Sequence, residues 1–327
     1  MEEWKELVEV NLLSQIEDTV KQGNISHGYL ISGEEYSGKK TLAKIFAKAL
    51  LCKEDEMYCG KCTSCLQVEN ENHPDLIYLR YEKDSSISVD EIREQVNQTV
   101  AVKPYASDRK VYIVPNADKM TQQAQNALLK TLEEPPEYVT ILLLAANPQK
   151  FLPTILSRVV QWKIKPVAKE DIVSLLVSKY DVEESKAEFC AGFSMGNVGK
   201  AIRLATVSDY QEIYDFCIHL LKYIHEMPVH EIIYAMKDLS KHKLEINDYL
   251  DFIMVWYRDV LMLKATNNPN KILFKKEYKD ISKQSQKSSF EGLEQIITAI
   301  DKAKQRLDAN VNFDIAMELL MLTIKEN

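Results

Sequence analysis

Four cysteines fall within fourteen residues of this 327-residue chain: Cys52, Cys59, Cys62 and Cys65. That spacing brings four thiolates within reach of one tetrahedral centre, and a shell closed by four sulfurs marks a structural rather than a catalytic zinc. A cysteine-ligated iron–sulfur cluster uses similar spacing, and a redox thiol pair is a third reading. Just upstream, Gly33-Glu34-Glu35-Tyr36-Ser37-Gly38-Lys39-Lys40 follows the pattern G-x-x-x-x-G-K. Such a loop wraps phosphates in backbone N–H groups, sets a lysine on the terminal phosphates and follows it with a hydroxyl for Mg²⁺. Here Lys40 stands at the hydroxyl position and Thr41 comes one residue late. Spacing alone leaves two readings, a nucleotide loop or a glycine turn retained from one.

The elements around these residues are those the chemistry requires. Residues 27–32 (HGYLIS) read as a short apolar strand entering the loop. Beyond it, Leu42, Ile45, Phe46, Ala49 and Leu50 recur at the helical period. Leu76–Leu79 and Val111–Val114 are further strands, and the unbroken apolar run Ile141–Ala146 suits a parallel strand covered on both faces. Ser88 with Glu91 makes a capping box, and Thr121 caps a helix that Pro135-Pro136 stops. Alternating strands and helices predict a layered α/β domain. Hydrolysis needs an acidic pair after a nearby strand, one to hold Mg²⁺ and one to orient water. The strand VYIV is instead followed by Pro115-Asn116, with Asp118 displaced beyond them. The expectation is a degraded site, able to bind ATP without hydrolysing it.

Composition sets the outer limits. With 46% hydrophobic and 28% charged residues the chain is neither disordered nor low-complexity. No run approaches the roughly 18 apolar residues of a membrane helix, and the opening MEEWKELVEV lacks the parts of a signal peptide. A cytoplasmic protein is expected. Residues 200–327 hold one glycine and two prolines, which predicts helices after about Pro166. Leu293, Ile296, Ile297, Ile300 and Leu307 keep the helical period there, and FDIAMELLMLTI is a strongly apolar helix. The Lys-rich interval 266–290 reads as a solvated loop. Cys190 and Cys217, in apolar helical settings, read as inert core residues.

Asn126–Pro136 (NALLKTLEEPP), Asn147-Pro148 and Ile155-Leu156-Ser157-Arg158 closely resemble the bacterial clamp-loader ATPases of DNA polymerase III, of the AAA+ class. The cysteine module followed by His73-Pro74-Asp75 fits the same pattern. The resemblance covers most of residues 1–205 and extends more loosely to NVNFDIAMELLMLTI, similar to the last helix of the family's collar. It implies a P-loop α/β domain with a parallel sheet at 1–165 and an inserted zinc module at about 52–73. A helical lid at 166–208 and an all-α collar at 209–327 complete it. Motor subunits carry a full GKT loop and an Asp-Glu pair, which fall here on Lys40 and on Pro115-Asn116. A motor's sensing arginine falls on Gly199, with Arg203 nearby, and its other sensor near Ala145–Asn147. The chain therefore resembles the non-motor type, and a divergent motor with its own ATPase is the alternative.

One catalytic element of the family remains. Ser157-Arg158-Val159 matches the family's Ser-Arg-Cys, whose arginine acts on the ATP of a neighbouring subunit. The competing reading is an arginine paired with a core carboxylate. Implied partners are gamma/tau-type motors and delta-type subunits in a hetero-oligomeric ring, and through it the sliding clamp and primer–template DNA. The family's DNA-facing surface lies near Thr121, where Lys119 is the cation nearest in sequence. A net charge of 41 − 49 = −8 makes DNA binding by the isolated chain weak. A zinc-dependent DNA-binding protein is the weakest reading.

Overall fold

The structure is a computed structural model that describes residues 10–54, 57–82, 86–207, 209–239, 246–309 and 311–327. The chain divides into two compact units, Met1–Asp181 with Ser194–Ile202, and Val182–Phe193 with Arg203–Asn327. The segment expected as a lid is thus distributed between both.

The first unit is built on five parallel strands: β1 (Gly28–Ser32), β2 (Leu76–Tyr78), β3 (Lys110–Val114), β4 (Val139–Ala145) and β5 (Val160–Lys163), in the order β2-β3-β4-β1-β5. Every residue of β1, β3 and β4 is buried, as strands covered on both faces must be. Alternation assigns the faces. Tyr29, Ile31, Val111, Ile113, Leu142 and Leu144 join one apolar cluster with α1 (Val10–Lys21) and α2 (Lys39–Leu51). Leu30, Tyr112, Val114, Ile141 and Leu143 join the other, with Ile92, Val96 and the core face of α5 (Gln122–Glu133). The expected α/β class with a parallel sheet is present.

Local signals hold where they were strongest. Ser88 and Glu91 complete a capping box on α4 (Val89–Ile92), which continues into a π-turn over Arg93–Asn97. Thr121 caps α5 by accepting from the Ala124 amide at 3.2 Å. The short α3 (Thr63–Glu69) carries part of the cysteine module, and α6 (Pro153–Leu156) precedes Ser157. β5 went unpredicted because Trp162 is its one buried residue, so no alternation shows. Trp162 lies 4.5 Å from the ring of Tyr29 and 5.1 Å from that of Phe46, centroid to centroid. α7 (Lys169–Tyr180) also belongs to this unit, as do residues 194–202.

The second unit is helical, as predicted: α8 (Glu184–Phe193), the end of α9 (Val198–Thr206), α10 (Asp209–Tyr223), α11 (Val229–Leu239), α12 (Ile246–Thr266), α13 (Tyr278–Lys287), α14 (Phe290–Asp308) and α15 (Phe313–Glu326). One expectation is corrected here. The interval 266–290 is not a solvated loop, because it contains α13 and packs into the core. Ile272, Phe274, Ile281 and Gln284 are buried while all six of its lysines stay exposed. Asp259, fully buried, accepts from the amides of Leu273 (2.6 Å) and Phe274 (2.9 Å), and Trp256 donates to Gln284 at 2.8 Å. The lysines dominate the composition, but the inward residues decide the fold. Cys190 and Cys217 are buried, and burial pushes both thiols up, Cys190 to about 11.

Candidate functional site: a closed phosphate loop, a cysteine quartet and a surface arginine

The loop leaves β1 beside the end of β4, where the Gly33 amide donates to the Ala145 carbonyl at 3.1 Å. This is the carboxyl edge of a parallel sheet, where α/β folds place ligands. Gly38 (φ +92°) turns the chain into α2, whose N-terminus no side chain caps. Ser37 is buried with Oγ lacking a hydrogen-bond partner. The Lys39 ammonium, which would meet the terminal phosphates of a nucleotide, donates to the loop's own carbonyls, Gly33 O at 2.7 Å and Glu34 O at 2.6 Å. Burial draws its pKa down, and the charge of Asp118 opposes that shift. Lys40 is exposed, and Thr41 is half-buried in the first turn of α2.

A second segment of the same unit closes over the loop. Asn197 donates from Nδ2 to Glu35 O at 2.7 Å and caps α9 by accepting from the Lys200 amide at 3.1 Å. A Cβ on Gly199 would lie 2.1 Å from the Tyr36 carbonyl oxygen, so the helix seats on the loop backbone only because that residue is glycine. Tyr36 itself holds φ +62°, a conformation that costs a bulky side chain energy. Arg203, the cation near Gly199 in sequence, pairs with Asp248 at 3.3 Å.

Among the described residues no carboxylate directly follows β3, where the chain continues with Pro115 and Asn116. Asn116, at φ +47°, donates to the Tyr81 hydroxyl at 2.7 Å. The Asp118 carboxylate accepts from the amides of Ala146 (3.4 Å) and Asn147 (3.3 Å) past the end of β4. Lys39, Asn116 and Asp118 are thus engaged by the chain, while Ser37 Oγ is left without a partner.

The four cysteines converge as their spacing predicts. All their Sγ atoms lie within 4.8 Å of one another, with Cys52 3.9 Å from Cys59 and 3.8 Å from Cys62. Four sulfurs about 2.3 Å from one ion form a tetrahedron with edges of about 3.8 Å, so these residues fit a single metal ion. A multi-iron cluster needs a wider cage. The Cys62 amide donates to Cys59 Sγ at 3.2 Å and the Cys65 amide to Cys62 Sγ at 3.4 Å. Backbone N–H groups, that of Lys61 foremost, draw the Cys59 thiol down to about 7, while burial pushes Cys65 up to about 12. All four cysteines are free thiols, and the quartet can hold a metal ion.

Ser157 and Arg158 close the turn after α6. Ser157 Oγ donates to Thr154 O at 3.1 Å, and Arg158 donates to the same carbonyl at 2.9 Å. The guanidinium pairs with Glu133 at the end of α5, 2.8 Å away. Side-chain exposures are 36% for Arg158 and 48% for Glu133, so the partner is a surface carboxylate rather than a core one. Val159 packs inward, where a Cβ on Gly28 would come within 2.9 Å of its Cγ1. Sequence reasoning did not anticipate Glu133, since the pair depends on how α5 and α6 pack.

Comparison with known proteins gives these sites a setting. A family model described as DNA polymerase III, delta subunit, matches residues 8–168, and one described as DNA polymerase III, delta subunit, C terminal, matches residues 219–326. The DNA polymerase III subunit delta' of Bacillus subtilis is 29% identical, covering 99% of this chain and 98% of that protein. The subunit tau of the same organism is 27% identical over 91% of this chain, which spans only 56% of tau. Among solved structures, a DNA polymerase III gamma subunit-related protein of Thermotoga maritima is similar, with 20% identity, coverage of 95% and 99% and a TM-score of 0.45. With both of its halves matched by models of these subunits, the chain belongs to the clamp-loader subunit family of DNA polymerase III.

Proposed function

We propose that this chain is a non-motor clamp-loader subunit of the delta-prime type. Cytoplasmic, it joins gamma/tau-type motors and a delta-type subunit in a hetero-oligomeric ring and presents Arg158 to the ATP of a neighbour. The observation that carries this reading is the contrast within one domain. Lys39 is engaged by its own loop and the Mg²⁺ positions are Pro115 and Asn116, whereas Arg158 stands at the surface on a replaceable carboxylate. A γ-phosphoryl group in transfer develops negative charge that a guanidinium stabilises, and such fingers contribute roughly 10³–10⁵ in rate. Arg158 would exchange Glu133 for that phosphoryl group, with Ser157 holding the turn. ATP reaching the loop of residues 33–41 would displace Lys39 from Gly33 and Glu34, and would stay unhydrolysed for want of a metal carboxylate.

In this reading residues 1–165 form the nucleotide-type domain, 166–208 the lid and 209–327 the collar that assembles the ring. The cysteine quartet holds a structural Zn²⁺. The sliding clamp and primed DNA are partners of the assembly, since a chain of charge −8 repels a polyphosphate. No described helix is long and apolar enough to cross a membrane. The test is steady-state ATPase, first of the isolated chain and then of a complex reconstituted with motor and delta-type subunits. Negligible turnover alone, with turnover of the complex lowered by Arg158→Ala, is the expected result. Turnover by the isolated chain would instead make it a gamma/tau-type motor.

A further inference from the structure

A chain of hydrogen bonds that involves neither the loop nor Arg158 runs from the cysteine quartet to the sheet. The Asp75 amide donates to Nδ1 of His73 at 3.1 Å, which makes Nδ1 the acceptor of the ring and leaves the proton on Nε2. Nε2 lies 2.7 Å from Ser64 Oγ, and Ser64 Oγ donates to the Leu51 carbonyl at 2.8 Å. With its one proton directed at Leu51, the hydroxyl accepts from His73. The donor and acceptor assignments are therefore consistent along the whole path, and His73, only 3% exposed, has both ring nitrogens satisfied.

The ends of that path give it meaning. Leu51 ends α2 and immediately precedes Cys52, while Ser64 sits in the first turn of α3 between Cys62 and Cys65. Asp75 precedes β2 and is anchored in turn, its carboxylate accepting from the amides of Tyr105, Ala106 and Ser107 at 2.5–2.7 Å. Cys52 follows α2, Cys59 lies in the loop, and Cys62 and Cys65 belong to the start of α3. Ser64 is one point where α2 and α3 are tied to each other and to the sheet. On the same side, Lys44 pairs with Glu71 at 2.9 Å and Lys48 with Glu69.

We propose that Ser64 and His73 are positioning residues for the cysteine quartet, holding Cys52 at ligand distance from the α3 cysteines so that the metal meets an assembled site. This rests on the quartet being a metal site. Groups hydrogen-bonded to metal ligands typically change affinity by 10–100-fold when removed, and Ser64 acts on the backbone carbonyl just before Cys52. The test measures Zn²⁺ affinity of the full chain by competition with a chromophoric chelator, and the visible absorption bands of the Co²⁺-loaded chain. Ser64→Ala should weaken Zn²⁺ binding by about 10-fold or more and shift the cobalt bands. Ser64→Thr, which keeps the hydroxyl, should restore both, and His73→Gln, which keeps a donor near the Nε2 position, should fall between. Wild-type affinity and spectrum in Ser64→Ala would overturn the proposal. If Ser64→Ala fails to fold, an unchanged affinity in His73→Gln overturns it equally. A wild-type chain that binds no Zn²⁺ or Co²⁺ would remove the metal reading itself, and this proposal with it.

Discussion

The loop at residues 33–38 and the edge at Ser157–Arg158 both carry groups suited to phosphoryl chemistry, and the fold treats them in opposite ways. In the loop, Lys39 answers two carbonyls of its own turn, Asn197 donates to the Glu35 carbonyl, and Gly199 lets a helix sit on the Tyr36 backbone. Along the edge, Arg158 is held by one half-exposed carboxylate, the Thr154 carbonyl and Ser157 Oγ. A lysine satisfied within its own loop must give up those bonds before it can meet a phosphate. A charged group kept at the surface by a weak, solvent-screened pair remains available to a partner. Residue identity already marks the loop as degraded and the arginine as retained, and the fold adds the partner that each one meets.

The largest effect expected from breaking this contrast is at the edge. Arg158→Ala should slow ATP turnover at the neighbouring site by about 10³-fold or more in a reconstituted complex. It should leave assembly intact, as read by size-exclusion chromatography. Gly199→Ala comes next. In an ordinary helix this change stabilises by up to about 1 kcal/mol, but here the new methyl meets a backbone oxygen at 2.1 Å. Destabilisation of about 1–3 kcal/mol by chemical unfolding is expected, and a gain in stability would show that the helix does not press on the loop.

Lys39→Ala should cost about 1–2 kcal/mol through the loss of its two loop hydrogen bonds. It should leave the ATPase of the complex unchanged, the reverse of what a motor subunit would show. Glu133→Ala is the smallest perturbation, within about 1 kcal/mol for an exposed pair. Because it frees the guanidinium, turnover of the complex should hold or rise. A fall as deep as that of Arg158→Ala would mean that Glu133 does more than store the arginine.

Much of this was legible residue by residue. Ser88 with Glu91, Thr121 ahead of α5 and the apolar run of β4 are local signals, decided by hydrogen bonds within one turn or by burial on both faces. The cysteine quartet was legible because three of its members are three residues apart, so that local geometry sets most of the cage. Two elements were not. The four residues of β5 include one buried side chain, and the lysines of α13 conceal an inward face made by Ile281 and Gln284. In both, a distant surface decides which side is apolar. His73-Pro74-Asp75 could be picked out as a pattern, but the bond from His73 to Ser64 needs α3 folded back over the end of α2.

By itself the sequence determined which chemical groups this protein carries and which it lacks: four thiols at metal spacing, a phosphate-type loop without its hydroxyl, no acidic pair after VYIV, and an arginine after a serine. Those are matters of residue identity and short spacing, and no fold can supply a carboxylate where the chain has Pro115. Tertiary structure decided which partners most of those groups meet. Whether Arg158 is buried or offered depends on segments tens of residues apart, Glu133 on α5 among them, and the loop that holds Lys39 is itself tied to Asn197. Such contacts form only when the sheet and its helices have packed, because a hydrogen-bonding group takes whichever partner the completed core leaves within reach.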